Sequence, residues 1–308
     1  MLRKDCRGPR STAGALNRRF LELLKTINRK AGDYVKKAAF IGVGNMGGAL
    51  ARAACRAVGP DQVVLCNRTQ SKAEALAEEL GCSAVAGAAD AVWAAEYLFL
   101  GVKPSGMRPL LEDLAPQLRD RHRVGEDKVV VSMAAGLTIE DMRPHLAGAG
   151  YYVPVVRVMP NTCVAVGQGM TALCAGAGVD GGQLQGVEEL LSATGKVERI
   201  PEELMDQFSA VAGCGPAFVY PYIEALADGG VMAGLPRKQA MEYAAQMVLG
   251  AAAMVLESGK HPGLLKDEVC SPGGSTIAGV AELERGGLRA AAINAVLAAY
   301  RRGTELGK

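Results

Sequence analysis

Aromatic side chains are scarce in this chain, which has one tryptophan, five phenylalanines and eight tyrosines in 308 residues. Cores must then be filled by Ala, Val, Leu, Ile and Met, which suits α/β and helical packing better than an all-β sandwich. Histidine is scarcer still, with three copies, and the eight cysteines (Cys6, Cys55, Cys66, Cys82, Cys163, Cys174, Cys214 and Cys270) contain no Cys-x-x-Cys pair. No metal site is implied, and the thiols read as reduced and mostly buried, as in an intracellular protein. An excess of one charge is also missing: 34 basic against 32 acidic residues leave a formal net charge of +2. That excludes a strong electrostatic footprint for nucleic acid. Apolar runs fall short of the ~20 residues that span a bilayer, and Gly, Pro or charge interrupts them, so no membrane partner is expected.

What the chain does have is length enough for two domains, each with its own core. Residues 1–36 stand apart, because Arg3, Arg7, Arg10, Arg18, Arg19 and Arg29 outnumber Asp5, Glu22 and Asp33 around the apolar patch Phe20-Leu21-Glu22-Leu23-Leu24. This stretch reads as a flexible basic extension of a cytoplasmic protein; a mitochondrial location is the alternative if it serves for targeting.

From Ala38 to Val43 an apolar run leads into Gly42-Val43-Gly44-Asn45-Met46-Gly47 and then a small-residue helix. Strand, Gly-x-Gly-x-x-Gly and helix in succession predict dinucleotide binding: the first two glycines permit a tight turn and close approach of a pyrophosphate, and the third lets helix and strand pack. About twenty residues on, where an NAD-selective fold places an acid for the ribose hydroxyl, the chain reads Asn67-Arg68-Thr69. A guanidinium and hydrogen-bonding side chains suit a 2′-phosphate, so NADPH is expected, with NADH the alternative. Helical patterns near Ser71–Leu80, before Glu96 and after Pro109 alternate with strands at Ser83–Ala86, Tyr97–Val102, Lys128–Met133 and Val153–Val158. This alternation predicts a Rossmann-like, doubly wound parallel sheet over 37–200, with its ligand at the carboxyl ends of the strands. Two such ends, Val102-Lys103-Pro104 and Ala134-Ala135, are assigned to the nicotinamide half of the cofactor. Lys103 is read as a cofactor contact rather than an acid.

Beyond residue 200 the pattern becomes helical, giving an all-α dimerisation and substrate domain over 201–302. A helix from Pro236 to about Ser258 carries Ala240, Ala244, Met247, Val248, Ala251, Met254 and Val255, with so little polar face that a shared subunit interface is the expected account. Ala212-Gly213-Cys214-Gly215-Pro216-Ala217 predicts a helix break. In Asp267–Gly287, a loop with Pro272, Gly273 and Gly274 precedes a helical pattern of Ile277, Val280 and Leu283. Ser275 or Thr276 is then the N-cap, and the bare amides there make an anion cradle.

These motifs resemble pyrroline-5-carboxylate reductases from about Lys37 to Ala299. The resemblance rests on Phe40-Ile41-Gly42-Val43-Gly44-Asn45-Met46-Gly47, Val102-Lys103-Pro104, Arg157-Val158-Met159-Pro160-Asn161-Thr162, Ala225-Leu226-Ala227-Asp228-Gly229-Gly230, and Asp267 to Thr276 with Glu282-Leu283-Glu284-Arg285-Gly286-Gly287. It implies NAD(P)H-dependent reduction of 1-pyrroline-5-carboxylate to L-proline by a homodimer, in some members a decamer of five dimers. It also implies that Ser271, Gly273, Gly274, Ser275 and Thr276 bind the substrate carboxylate, with Thr276 beside the ring nitrogen as the catalytic residue. The competing readings are a β-hydroxyacid dehydrogenase, whose helix lysine is missing from Gly213–Tyr220, and a non-catalytic NADP-binding protein.

Overall fold

The apolar runs become one eight-stranded sheet in the computed structural model, which describes Lys36–Leu306. The expectations for stretch 1–36 lie, Lys36 apart, outside the described residues. The strands are β1 (Lys36–Ile41), β2 (Val63–Cys66), β3 (Ser83–Ala84), β4 (Ala95–Leu100), β5 (Val129–Ser132), β6 (Val155–Met159), β7 (Gly169–Ala175) and β8 (Gly195–Arg199), in the order β3-β2-β1-β4-β5-β6-β7-β8. Helices α1 (Asn45–Val58), α2 (Gln70–Leu80), α3 (Ala88–Ala94), α4 (Pro104–His122), α5 (Ile139–Leu146) and α6 (Gly181–Leu191) follow strands of this sheet.

Alternation along the central strands builds two cores. Ala39, Ile41, Leu98, Leu100, Val130 and Val155 face one side with Met107, Leu111 and Leu114 of α4. Ala38, Phe40, Tyr97, Phe99, Val129 and Val156 face the other with Leu50 and Ala54 of α1 and Leu190 of α6. A sheet covered on both faces is the environment in which continuous apolar strands belong.

The sheet departs from the expected pattern at its β7 end. β7 runs antiparallel to β6 and parallel to β8, because the connection 160–168 is shorter than the dozen or so residues a parallel crossover takes. Helix α4 begins at Pro104 rather than after Pro109; Pro104 suits a first helical position, and burial of Met107, Leu111, Leu114 and Leu118 holds Pro109 and Pro116 within the helix. β3 is half as long as expected.

After β8 the chain is helical among the described residues: α7 (Met205–Phe208), a π-helical turn (Ser209–Gly213), α8 (Gly215–Met232), α9 (Arg237–Ser258), α10 (Pro262–Glu268), α11 (Ser275–Arg285) and α12 (Leu288–Leu306). Its start is anchored on the sheet, where Met205 is fully buried in the α4 core. The remainder has only a small core of its own, Ala227, Ala240 and Ala244 with Ile223, Leu226 and Val231 against them. Among the described residues, all the exposed large hydrophobic side chains except Trp93, Tyr152 and Val166 lie beyond residue 200, Met232 and Leu256 foremost at 90% and 80% exposure. Among the described residues no helix is long and apolar enough to cross a membrane.

Candidate active site

The sheet order turns back at β1, with β2 on one side and β4 on the other; in doubly wound sheets the crevice that takes a ligand lies at such a switch point, at the carboxyl ends of the strands. Gly42 leaves β1 at φ +98°, a conformation that disfavours a side chain; a Cβ there would meet the backbone of Gly101 at 2.8 Å. Gly47, in the first turn of α1, packs closer still, since a Cβ would lie 2.0 Å from the Gly42 carbonyl oxygen. Gly44 differs from both in facing open space, with nothing within 4 Å of its Cβ position. Two glycines therefore close the turn, and the third leaves room for a ligand. Asn45 and Met46 open α1, whose N-terminus has no side-chain cap, so its amides are available to a pyrophosphate.

The expected 2′-phosphate site divides into different roles. Asn67 braces the loops: its Oδ1 accepts from the Val43 N–H at 3.2 Å and its Nδ2 donates to the Thr69 carbonyl at 3.0 Å. Thr69 is the N-cap of α2, without a side-chain bond. Arg68 is exposed and has no acidic partner among the described residues, which leaves its guanidinium for an anion. Cys66 beside it is buried, and burial, followed by the charge of Asp90, pushes its thiol pKa up.

Val102 and exposed Lys103 leave β4, Lys103 as the N-cap of α4 with Pro104 next. Past β5, Ala134 is 2% exposed and belongs to the α4 core, whereas Ala135 is exposed. Ala135 is thus the member of that pair open to a ligand. The buried Ser132 hydroxyl accepts from the Ala134 N–H at 3.4 Å and shapes the turn.

The 271–276 loop corrects the expected cap: Gly274, not Ser275 or Thr276, is the N-cap, and α11 starts at Ser275 with no side-chain cap bond. Gly273 takes φ +67°, and the Gly274 N–H donates to the Ser271 carbonyl at 3.0 Å. A Cβ on Gly274 would lie 2.5 Å from Ser271 Oγ, so a bare glycine is what brings that hydroxyl to the helix start. The first bond closing α11 is Ala278 N–H to the Gly274 carbonyl at 3.3 Å. The amides of Ser275, Thr276 and Ile277 have no acceptor among the described residues. Gly274 contributes room, not a free donor. Ser271, Ser275 and Thr276 are exposed, and α11 buries no residue.

Sequence reasoning names Asn161 only as part of the Arg157–Thr162 motif and gives it no role; it lies two residues beyond β6 at the same strand ends. It is 8% exposed; its Oδ1 accepts from the N–H groups of Cys163 at 3.2 Å and Met170 at 3.4 Å, and its Nδ2 donates to the Ala212 carbonyl at 2.9 Å. The Pro160-Asn161 turn after an apolar strand was the available signal.

Comparison with known proteins accounts for nearly the whole described chain. Residues 202–306 match the family model described as pyrroline-5-carboxylate reductase dimerisation, and residues 37–136 match that of NADP oxidoreductase, coenzyme F420-dependent. A pyrroline-5-carboxylate reductase of Pisum sativum is 40% identical over 268 residues, 87% of this chain and 94% of that protein; one of Methanosarcina acetivorans is 39% identical over 275 residues, 89% and 98%. A solved pyrroline-5-carboxylate reductase structure from Coxiella burnetii superposes with TM-score 0.80 at 31% identity, covering 89% of this chain and 100% of that one. The Plasmodium falciparum pyrroline carboxylate reductase with NADP bound superposes at 0.77 and 28%, covering 89% and 98%.

Proposed function

Since the chain belongs to the pyrroline-5-carboxylate reductase family, we propose that it reduces 1-pyrroline-5-carboxylate to L-proline, the last step of proline biosynthesis, with NADPH preferred to NADH. The observation that carries the reading is the open start of α11, with three amides lacking acceptors and Ser271 Oγ held beside them, in a chain that also has the Gly42–Gly47 turn.

The substrate carboxylate sits on the amides of Ser275 and Thr276 with the Ser271 hydroxyl donating. An anion at such a helix start gains about 0.3–2 kcal/mol, more where water is excluded. Gly273 and Gly274 let it approach the backbone. Thr276 places its hydroxyl by the ring nitrogen, orienting the C=N bond and helping to protonate the nitrogen. NADPH, when bound, would supply a hydride to the imine carbon, the atom that becomes C5 of proline, and the C=N electron pair, left on nitrogen, would take up a proton. Because the imine carbon is already electron-poor, positioning contributes more than acid catalysis. Gly44, Asn45 and Met46 take the cofactor's pyrophosphate, Arg68 its 2′-phosphate, and Val102, Lys103, Pro104 and Ala135 its nicotinamide half. These residues suit the group, because Gly44 faces open space and Arg68 is unpaired among the described residues.

The apolar surface beyond residue 200 is covered by a second copy. A core of three buried alanines is too small to hold six helices, and this is the region that matches the dimerisation model. Sedimentation distinguishes this homodimer from a decamer of five dimers. A cytoplasmic location goes with this reading.

The test is NADPH oxidation with pyrroline-5-carboxylate, repeated with NADH and with Thr276→Ala. Activity favouring NADPH, and a kcat/KM reduced roughly 100-fold by Thr276→Ala, are expected. An inactive wild type would leave a non-catalytic NADP-binding protein, and an unchanged Thr276→Ala variant would remove that residue's role.

A further inference from the structure

Asn161 has a partner whose chemistry explains it. In an α-helix the Ala212 carbonyl would accept from the N–H of residue 216, but residue 216 is proline and has none. The next amide, Ala217 N–H, donates to the Cys214 carbonyl at 3.0 Å, and Cys214 N–H closes the π turn on Ser209 at 2.8 Å. Asn161 Nδ2 supplies Ala212 with the donor that Pro216 removes, at 2.9 Å. The bond runs from the carboxyl end of β6 to the π-helical turn between α7 and α8, and an isolated π turn inside a helix often marks a functional position. Both Asn161 Oδ1 bonds stay within its own loop, to Cys163 and Met170, so the two ends of one amide have separable jobs.

A second polar link leaves the same strand further from the crevice. Arg157, 2% exposed, pairs with Glu202 at 3.3 Å and lies 3.9 Å from Asp206 of α7. Glu202 also accepts from the Ile139 N–H at 2.8 Å. This link fastens the helical region to the body of the sheet; the Asn161 link lies at the carboxyl ends of the parallel strands, the end from which the Gly42 and Lys103 loops also emerge.

We propose that Asn161 is a positioning residue for hydride transfer: by holding the Ala212 carbonyl at the carboxyl end of β6 it sets the distance between the helical region and the cofactor crevice. The proposal rests on the reductase reading above. Asn161 touches neither reacting group and acts through the backbone of residues 209–213.

Asn161→Asp deletes the donor to Ala212 while keeping an acceptor for Cys163 and Met170. Asn161→Asp with Pro216→Ala returns a backbone donor to Ala212 without restoring the link to β6, and Pro216→Ala alone is the control. Each is measured for melting temperature without cofactor, NADPH affinity, kcat, and the primary isotope effect with C4-deuterated NADPH as a function of temperature. Asn161→Asp should lower kcat on the order of 10- to 100-fold, as a misplacement of about 1 Å does. NADPH affinity should stay within about twofold, and the isotope effect should become larger and more temperature-dependent. The double variant should regain melting temperature but not kcat or the wild-type isotope effect. Recovery of all three overturns the proposal, because satisfying one carbonyl would then be the whole role; so does an Asn161→Asp variant with wild-type kcat and isotope effect. If Asn161→Asp does not fold and the double variant does, the double variant's kcat and isotope effect decide, and failure of both to fold overturns the proposal in favour of a folding role. Wild-type protein inactive on pyrroline-5-carboxylate overturns the reductase reading itself, and this proposal with it.

Discussion

Adding a single methyl group at Gly44 or at Gly47 should have opposite consequences. At Gly47 the new Cβ would lie 2.0 Å from the Gly42 carbonyl oxygen and 3.7 Å from Gly101 Cα, whereas a close carbon–oxygen contact is about 3.3 Å. α1 would have to withdraw from β1 by more than an ångström, loosening the contacts of buried Leu50, Ala51 and Ala54. Overpacking of this kind costs about 1–3 kcal/mol, and at roughly 2–4 °C per kcal/mol the protein without cofactor should melt several degrees lower. At Gly44 the backbone sits at φ −69° and ψ −166°, open to any residue, and nothing lies within 4 Å. Gly44→Ala should therefore melt at or slightly above the wild-type temperature, since the unfolded chain loses freedom. Its methyl occupies the space left for the pyrophosphate, so NADPH affinity should fall at least roughly 10-fold, equivalent to about 1.4 kcal/mol. Thermal melts without cofactor and fluorescence titration with NADPH read the two effects separately. Wild-type NADPH affinity in Gly44→Ala would refute the assignment of that space to the cofactor.

Three further predictions follow from other parts of the molecule. Arg68→Ala should raise the KM for NADPH roughly 10-fold while leaving that for NADH within about twofold, because only NADPH offers the 2′-phosphate; equal effects would disprove the contact. Lys128 is 2% exposed, and burial, followed by the charge of Arg121, depresses its pKa from 10.5 to about 8. Between these values the unfolded chain binds more protons, so this residue's penalty is full below about pH 8 and is relieved as pH rises towards 10.5. Lys128→Met should accordingly stabilise at pH 7, by up to about 3 kcal/mol at 1.36 kcal/mol per pKa unit, and the gain measured by denaturant titration should shrink by pH 10; a gain independent of pH would contradict the cause. Leu256→Glu, at a position 80% exposed in the single chain, should shift the assembly towards 32.0 kDa monomers in sedimentation, and a wild type already monomeric would exclude the shared interface.

How far the sequence reveals these features depends on how local their causes are. The Gly42–Gly47 turn is legible because strand, glycines and helix are contiguous and each glycine has a steric reason. The long apolar helix α9 is legible for the same reason, with its start at Pro236 and its end at Ser258 matching the structure to a residue. β7 and β8 are not: β8 is a polar, half-exposed strand, and the antiparallel turn at β7 is decided by the length of the 160–168 connection. The N-cap of α11 lies one or two residues before the expected Ser275 or Thr276, because hydroxyl residues outrank glycine in capping preference while the positive φ of Gly273 settles the turn. Ala134 shows the limit of reading a strand end, for a small residue there is as readily a core filler as a ligand contact. The role of Asn161 is not legible, although its motif is, because its partner lies far along the chain and nothing in a strand-end Asn tells which distant carbonyl lacks a donor.

The central claim, that the chain transfers hydride to the imine carbon of 1-pyrroline-5-carboxylate, is tested most directly by following the label. Incubated with NADPH carrying two deuterons at C4 and with unlabelled pyrroline-5-carboxylate, the enzyme should yield L-proline one mass unit heavier, with the deuteron at C5. Unlabelled proline, or none, would contradict the account.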